Sequence, residues 1–175
     1  MPVINDGFGG VCPLLQVSPA VPRAFALSGY FPRREGPVYI VGQLAATALG
    51  AALLRLLFGN VFALGENLPA APILHPLAME VLVTAILMFV IIAVATDRRA
   101  MGLPAGLAIG GAVALNVLWA GPISGASMNP ARSFGPVLIS GVWTVQCIYW
   151  VGPAIGAALG AFAYEFARRT EPGDV

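Results

Sequence analysis

The chain has 175 residues, 58% of them hydrophobic and 10% charged, with a mean hydropathy of +0.85 and a formal net charge of +1. A soluble domain of this length has no interior large enough to hide that much apolar surface, so the composition points to a polytopic, all-α membrane protein. The basic residues are all Arg and form no basic patch, which excludes a nucleic-acid partner; His75 is the single His, and Cys12 and Cys147 lie far apart, so no metal-ligand spacing, disulfide or nucleophile and base arrangement stands out. No cofactor, metal or catalytic residue is expected.

Residues 1–17 are punctuated by Gly and Pro, show neither helical nor strand period, and lack the basic start and apolar core of a signal peptide. They are expected to be irregular. Ser18, Pro19 and Ala20 then open a short apolar piece that ends at Ser28 and Gly29, the grammar of a half-helix over 18–28. The first full span is predicted over 37–58, interrupted only by Gln43 and by Arg55, which is close enough to the end to snorkel. Gly42, Ala46 and Gly50 fall on one stripe of it. A polar loop over 59–75 carries Glu66 and His75 and no Arg. The second span, over 77–96, has Glu80 in its first turns, where a carboxylate facing lipid is expensive and so should point inward. After Asp97, Arg98 and Arg99 comes the third span, over 104–120, with Asn116 and Val117.

The stretch from Ser124 to Pro136 is polar and small within otherwise apolar sequence. Asn129 is a favoured N-cap and Pro130 suits the first helical position, so a helix begins there and breaks at Ser140 and Gly141. That leaves about a dozen residues where a bilayer needs ~20, which predicts a re-entrant half-helix over 129–139. Arg132 sits in its first turn, where the positive end of the helix dipole disfavours a cation; the placement reads as functional, against the alternative of a snorkelling interfacial Arg. The last span is predicted over 142–166, with Gly152, Gly156 and Gly160 spaced for close helix approach.

Arg33 with Arg34, Arg98 with Arg99, and Arg168 with Arg169 lie in alternate connections, so these clusters and the C-terminus are expected in the cytoplasm, with the Asn129 half-helix dipping in from outside. Tyr39 to Ala51 aligns with Tyr149 to Ala161 at Tyr, Val, Gly, Ala and Leu positions, and Ser18 precedes the first copy at nearly the distance at which Asn129 precedes the second. Two copies of half-helix plus span in opposite orientation mark an inverted-repeat channel or transporter. Two half-helices meeting end to end put two positive dipole ends at the membrane midplane, a field that repels cations while Asn N–H groups bond a neutral solute. Asn129 is the candidate for that role, the plain reading being an N-cap alone.

Ser124 to Ser133, read as Ser-Gly-Ala-Ser-Met-Asn-Pro-Ala-Arg-Ser, resembles the second signature loop of the aquaporin (major intrinsic protein) family, and the likeness extends from about Ser18 to Arg169. The segment from Ala95 through Leu107 to Val117 is most similar to the nodulin-like intrinsic proteins. The resemblance implies an inverted repeat of four full spans and two half-helices, lacking the first two family helices: 18–58 as a partial first repeat, 76–169 as the second, and 18–175 as one channel domain. It implies Asn129, Pro130, Ala131 and Ser18, Pro19, Ala20 as the two signature turns, and Val117, Ala126 and Arg132 as three positions of an outer constriction. Glu80 either braces the Asn129 loop, as the resemblance suggests, or is a carboxylate near the start of a helix.

The same resemblance implies a passive channel for water or small uncharged solutes such as glycerol or metalloid hydroxides, in the plasma or inner membrane, contacting lipid and assembling as a homo-oligomer, a tetramer in the family. Val117 stands where water-selective members have His, which suits a wider aperture, whereas Tyr149 and Trp150 resemble the water-channel pattern. Ser18 replaces the first Asn and Pro22 and Arg23 depart from the family pattern, so a non-conducting remnant is the competing reading.

Overall fold

The computed structural model describes residues 18–19, 36–96 and 103–169. Within them lie four long helices and one short one: α1 (Gly36–Phe58), α2 (Leu74–Thr96), α3 (Leu103–Ser124), α4 (Pro130–Ser140) and α5 (Ile148–Arg169), with a 3-10 turn at Phe62–Gly65. No strand occurs among the described residues. The half-helix expected over 18–28, including Ala20, lies outside the described residues beyond Ser18 and Pro19. Arg98 and Arg99 also lie outside them.

At 1.5 Å per residue, the 22 or 23 residues of each long helix extend about 33 Å, matched to a bilayer core of ~30 Å. The segments Ile40–Phe58, Leu74–Thr96 and Pro104–Ser124 are long and apolar enough to cross a membrane by composition alone. In α5 the glycines, Tyr149, Trp150 and Glu165 dilute the apolar run, and its length and packing make it the fourth long helix of the bundle.

Helix α2 is the centre of the packing. Pro76, Glu80, Val83, Thr84, Leu87, Met88, Ile91, Ile92 and Ala95 are buried, a spacing of three and four that keeps one face inward. The opposite face, with Leu82, Ile86 and Phe89, is equally apolar. A helix apolar all round belongs in lipid, where the hydrophobic effect no longer drives one helix onto another and close packing must hold them together. Glycine supplies that closeness along α5. A Cβ placed on Gly152 would lie 2.7 Å from the Glu80 Cβ, one on Gly156 2.3 Å from the Val81 carbonyl oxygen, and one on Gly160 2.3 Å from the Ala85 carbonyl oxygen.

Helix α1 packs elsewhere, against α4, where a Cβ on Gly135 would meet the Thr47 carbonyl oxygen at 2.4 Å. Arg55 does more than snorkel: its Nη1 donates to the Ile139 carbonyl at 2.5 Å, a cation on the negative end of α4. Gly141, at φ 82°, closes that end with its N–H on the Val137 carbonyl. A left-handed residue costs glycine nothing, which is why Ser140-Gly141 stops the helix.

Two boundaries differ most from the sequence reading, while α2 starts three residues before the expected 77 and α5 ends three residues past the expected 166. Helix α3 continues through Gly121 and Pro122 to Ser124, because a proline in the final turn forfeits only one hydrogen bond near an end that is already running out of partners. Helix α5 starts at Ile148 instead of Val142; residues 142–147 form a return turn in which Val145 has φ 54°. The apolar run there packs without being helical, Phe134 meeting Trp143 edge-on with centroids 6.2 Å apart.

Candidate functional site

Helix α4 begins in the interior of the bundle. Asn129 is its N-cap, in extended conformation, with Oδ1 accepting from the N–H groups of Ala131 at 3.0 Å and Arg132 at 3.3 Å. Pro130 occupies the first helical position and is buried, as is Ala131. The cap commits the carboxamide oxygen to the helix end, so the other end of the Asn129 side chain is an NH₂, a pure donor. Eleven residues carry α4 only about 16 Å, half a bilayer.

The loop leading into that cap is strained. Gly125, Ala126 and Met128 have φ of 83°, 43° and 53°, the left-handed region, which costs a non-glycine residue ~1–2 kcal/mol. Glu80, with no exposed surface, holds the loop in that shape: Oε1 accepts from the Ser127 N–H and the Ser124 hydroxyl, and Oε2 from the Met128 N–H, each at 2.8 Å. Three bonds to a carboxylate, at ~1.5–3 kcal/mol each, outweigh the strain of two residues. Gly152 on α5 is what lets Glu80 reach this position, since any side chain there would strike its Cβ.

Every neighbouring element adds a tie. The Tyr149 hydroxyl on α5 donates to the Ser124 carbonyl at 2.7 Å, and Asn116 on α3 donates to the Val83 carbonyl at 3.0 Å and lies 3.4 Å from the Met128 sulfur. Ser18, from the segment expected to form the other signature turn, donates to the Met128 carbonyl at 3.3 Å, and Pro19 beside it is fully buried. Ser18 and the loop before Asn129, 110 residues apart in sequence, therefore meet. From the 59–75 loop comes Asn67, 4% exposed, which donates to the Ser133 hydroxyl at 2.6 Å and accepts from Arg132.

The structure thus brings Ser18, Glu80, Asn129, Pro130, Ala131 and Arg132 into one network. The expected constriction residues divide. Val117 faces open space, 44% exposed, while its neighbour Asn116 points into the core; Arg132 is also exposed. Ala126 instead presents 1% of its surface, its methyl joining the apolar cluster of Val83, Leu87 and Met88 because the left-handed backbone turns it inward. Sequence reasoning missed the ties from Ser124, Ser127, Ser133 and Asn67. The three serines stood inside the recognised motif, whereas no local signal marked Asn67.

Near the C-terminal end of α4, Glu66 takes a hydrogen bond from the Ser140 hydroxyl at 3.4 Å. Partial burial pushes its carboxyl pKa up, with Ser140 opposing the shift. No group of three candidate metal ligands occurs among the described residues.

A half-helix that starts inside a set of long apolar helices, with its cap loop strapped to a buried carboxylate, defines an integral multi-pass membrane protein of the re-entrant kind. Residues 16–164 match the major intrinsic protein family, and the chain belongs to it. It is 50% identical over 154 residues to aquaporin NIP1-1 of Zea mays and 48% identical over 155 residues to aquaporin NIP1-4 of Oryza sativa, covering 87% and 88% of this chain. It spans only 55% and 57% of those two relatives. Among solved structures, the aquaglyceroporin from Plasmodium falciparum shares the fold, with a TM-score of 0.70 at 17% identity over 88% of this chain and 72% of that one.

Proposed function

We propose that the chain forms part of a passive channel for water and small uncharged solutes. The observation that carries this is the Asn129 cap: an amide whose oxygen is bound to the positive end of a half-helix, presenting donors at membrane depth beside the Ser18 turn. Donors and a positive dipole end favour a neutral solute with lone pairs and disfavour a cation. Arg132 adds a fixed positive charge above them, and Val117, in place of a larger polar residue, leaves an aperture wide enough for glycerol or a metalloid hydroxide. Of the Gly125 to Ser127 loop only Gly125 keeps part of its surface exposed, so Gly125 forms a third side of that constriction in this reading, with Ala126 buried behind it.

In this reading residues 18–58 and 76–169 are the two repeats of one channel domain, assembled as a homo-oligomer, a tetramer by family likeness, in the plasma or inner membrane with the C-terminus in the cytoplasm. Cys147, exposed in the turn before α5, then faces outward. A membrane-impermeant maleimide applied to intact cells should label it; protection there, with labelling only after lysis, would invert the orientation.

Stopped-flow light scattering on proteoliposomes tests the function. Water and glycerol gradients should relax faster than in protein-free vesicles, with no rise in proton leak. Rates equal to empty vesicles would sink the channel reading for this chain.

A further inference from the structure

Asn67 belongs to neither signature turn, yet it is buried in the polar network, and the directions of the bonds around it are forced. The Asn129 carbonyl only accepts, so Ser127 spends its single hydroxyl proton on it, at 2.8 Å. In the 2.6 Å contact between Ser127 and Ser133, Ser133 must then be the donor. With that proton used, Ser133 accepts from its remaining neighbour, which places the Asn67 NH₂ on Ser133 and the Asn67 oxygen toward Arg132. A guanidinium only donates, so the last link agrees with all the others. One chain of hydrogen bonds runs in a single direction, Arg132 to Asn67 to Ser133 to Ser127 to the Asn129 carbonyl.

Packing holds the hinge of this chain in place. A Cβ on Gly125 would fall 3.0 Å from both the Cβ and the Oδ1 of Asn67, so the side chain is wedged against the strained loop. A flip of the amide would set an NH₂ against the guanidinium and leave Ser133 with two acceptors for one proton.

We propose that Asn67, on the loop between α1 and α2, is a positioning residue that fixes the Arg132 guanidinium and through it sets solute discrimination at the outer constriction. The second half of this proposal rests on the channel reading, and the first half does not. Asn67→Leu removes the acceptor and the donor together while keeping the bulk. Asn67→Asp keeps an acceptor for Arg132 and gives up the donor to Ser133.

The test has two readouts on purified full-length chain. Phenylglyoxal modification, followed by peptide mass spectrometry, reports the freedom of Arg132, with Arg168 as an internal reference. Asn67→Leu should speed the reaction at Arg132 roughly tenfold or more, the size expected when a charged group loses a hydrogen bond, and Asn67→Asp should hold it at the wild-type rate. Should Asn67→Leu not fold, Asn67→Ala removes the same two bonds. Equal Arg132 rates in all variants overturn the positioning role, whether or not the vesicles conduct.

The second readout is the ratio of glycerol to water permeability in proteoliposomes. It should rise in Asn67→Leu and stay near wild type in Asn67→Asp. A uniform loss of both permeabilities with an unchanged ratio overturns the selectivity role and leaves Asn67 as scaffold. Absence of permeability in the wild type fails the channel reading and the selectivity half with it, while the Arg132 rates still decide the positioning half.

Discussion

Two helices of this chain carry matching small-residue seams and use them differently. On α5, Gly152, Gly156 and Gly160 are filled by α2 at distances no side chain would permit. On α1 the aligned positions are Gly42, Ala46 and Gly50, and a Cβ on either glycine would meet nothing among the described residues within 4 Å. The contrast extends along the helices, since α2 buries a whole face while nearly all of α1 is exposed or half-buried. Small residues at four-residue spacing state that a neighbour fits; they do not supply the neighbour. The filled seam also has a consequence at the site, because the partner it admits carries Glu80.

The largest effect should come from closing the filled seam. Gly156→Leu drives a side chain into the Val81 backbone and should lower stability by ~3 kcal/mol or more, measured by thermal unfolding in detergent. Gly50→Leu on the bare seam should change it by less than ~0.5 kcal/mol. Equal losses at both positions would erase the distinction.

Glu80→Gln comes next. The amide keeps the shape and sets an NH₂ against one of the three donors that now point at the carboxylate, a cost of ~2–3 kcal/mol, and the Asn129 loop should loosen with it. Faster hydrogen exchange at Ser127 and Met128 would register the change. Unaltered protection there would mean that the strained loop holds its own shape.

The comparison sharpens if the bare seam is given a partner. Co-expressing the first two spans of the maize relative should yield a complex that co-purifies with this chain and raises its thermal midpoint by several degrees. In that complex Gly50→Leu should become as damaging as Gly156→Leu is alone. Capture that is indifferent to Gly50→Leu would show the α1 seam to be without a role.

The smallest effect concerns Glu66, near the C-terminal end of α4. A carboxyl whose folded pKa is raised favours the folded state below its unfolded pKa, and that contribution is lost as pH rises through the folded value. Glu66→Gln should therefore raise the thermal midpoint slightly near neutral pH and leave it unchanged well below the ordinary carboxylate range. A midpoint difference that grows on acidification would contradict the shift. Because the group is partly exposed, solvent screening keeps the effect small.

Much of the fold was legible from local sequence. The half-helix start at Asn129 and stop at Gly141 follow from cap chemistry that operates within a few residues, and the observed Pro130–Ser140 agrees closely with the expected 129–139. The spans follow from apolar length. The start of the last span was not legible, because Val142 to Val145 is apolar enough to be helical and is kept from it by the return from α4. At the site, the motif named Asn129, Pro130 and Arg132, whereas the inward turn of the Ala126 methyl depends on a left-handed backbone that composition does not reveal.

By itself, then, the sequence determined the membrane class, the three helices long and apolar enough to cross a bilayer and the capped half-helix, all of which rest on period, length and capping within a single segment. Only the tertiary structure decided which glycine seam is filled, that Glu80 straps the Asn129 loop, and that Asn67 holds Arg132. Those last two residues are 65 apart in sequence and share no periodic pattern; what joins them is the packing of a loop against a helix start, where a buried polar side chain must find whichever partners the fold brings within reach.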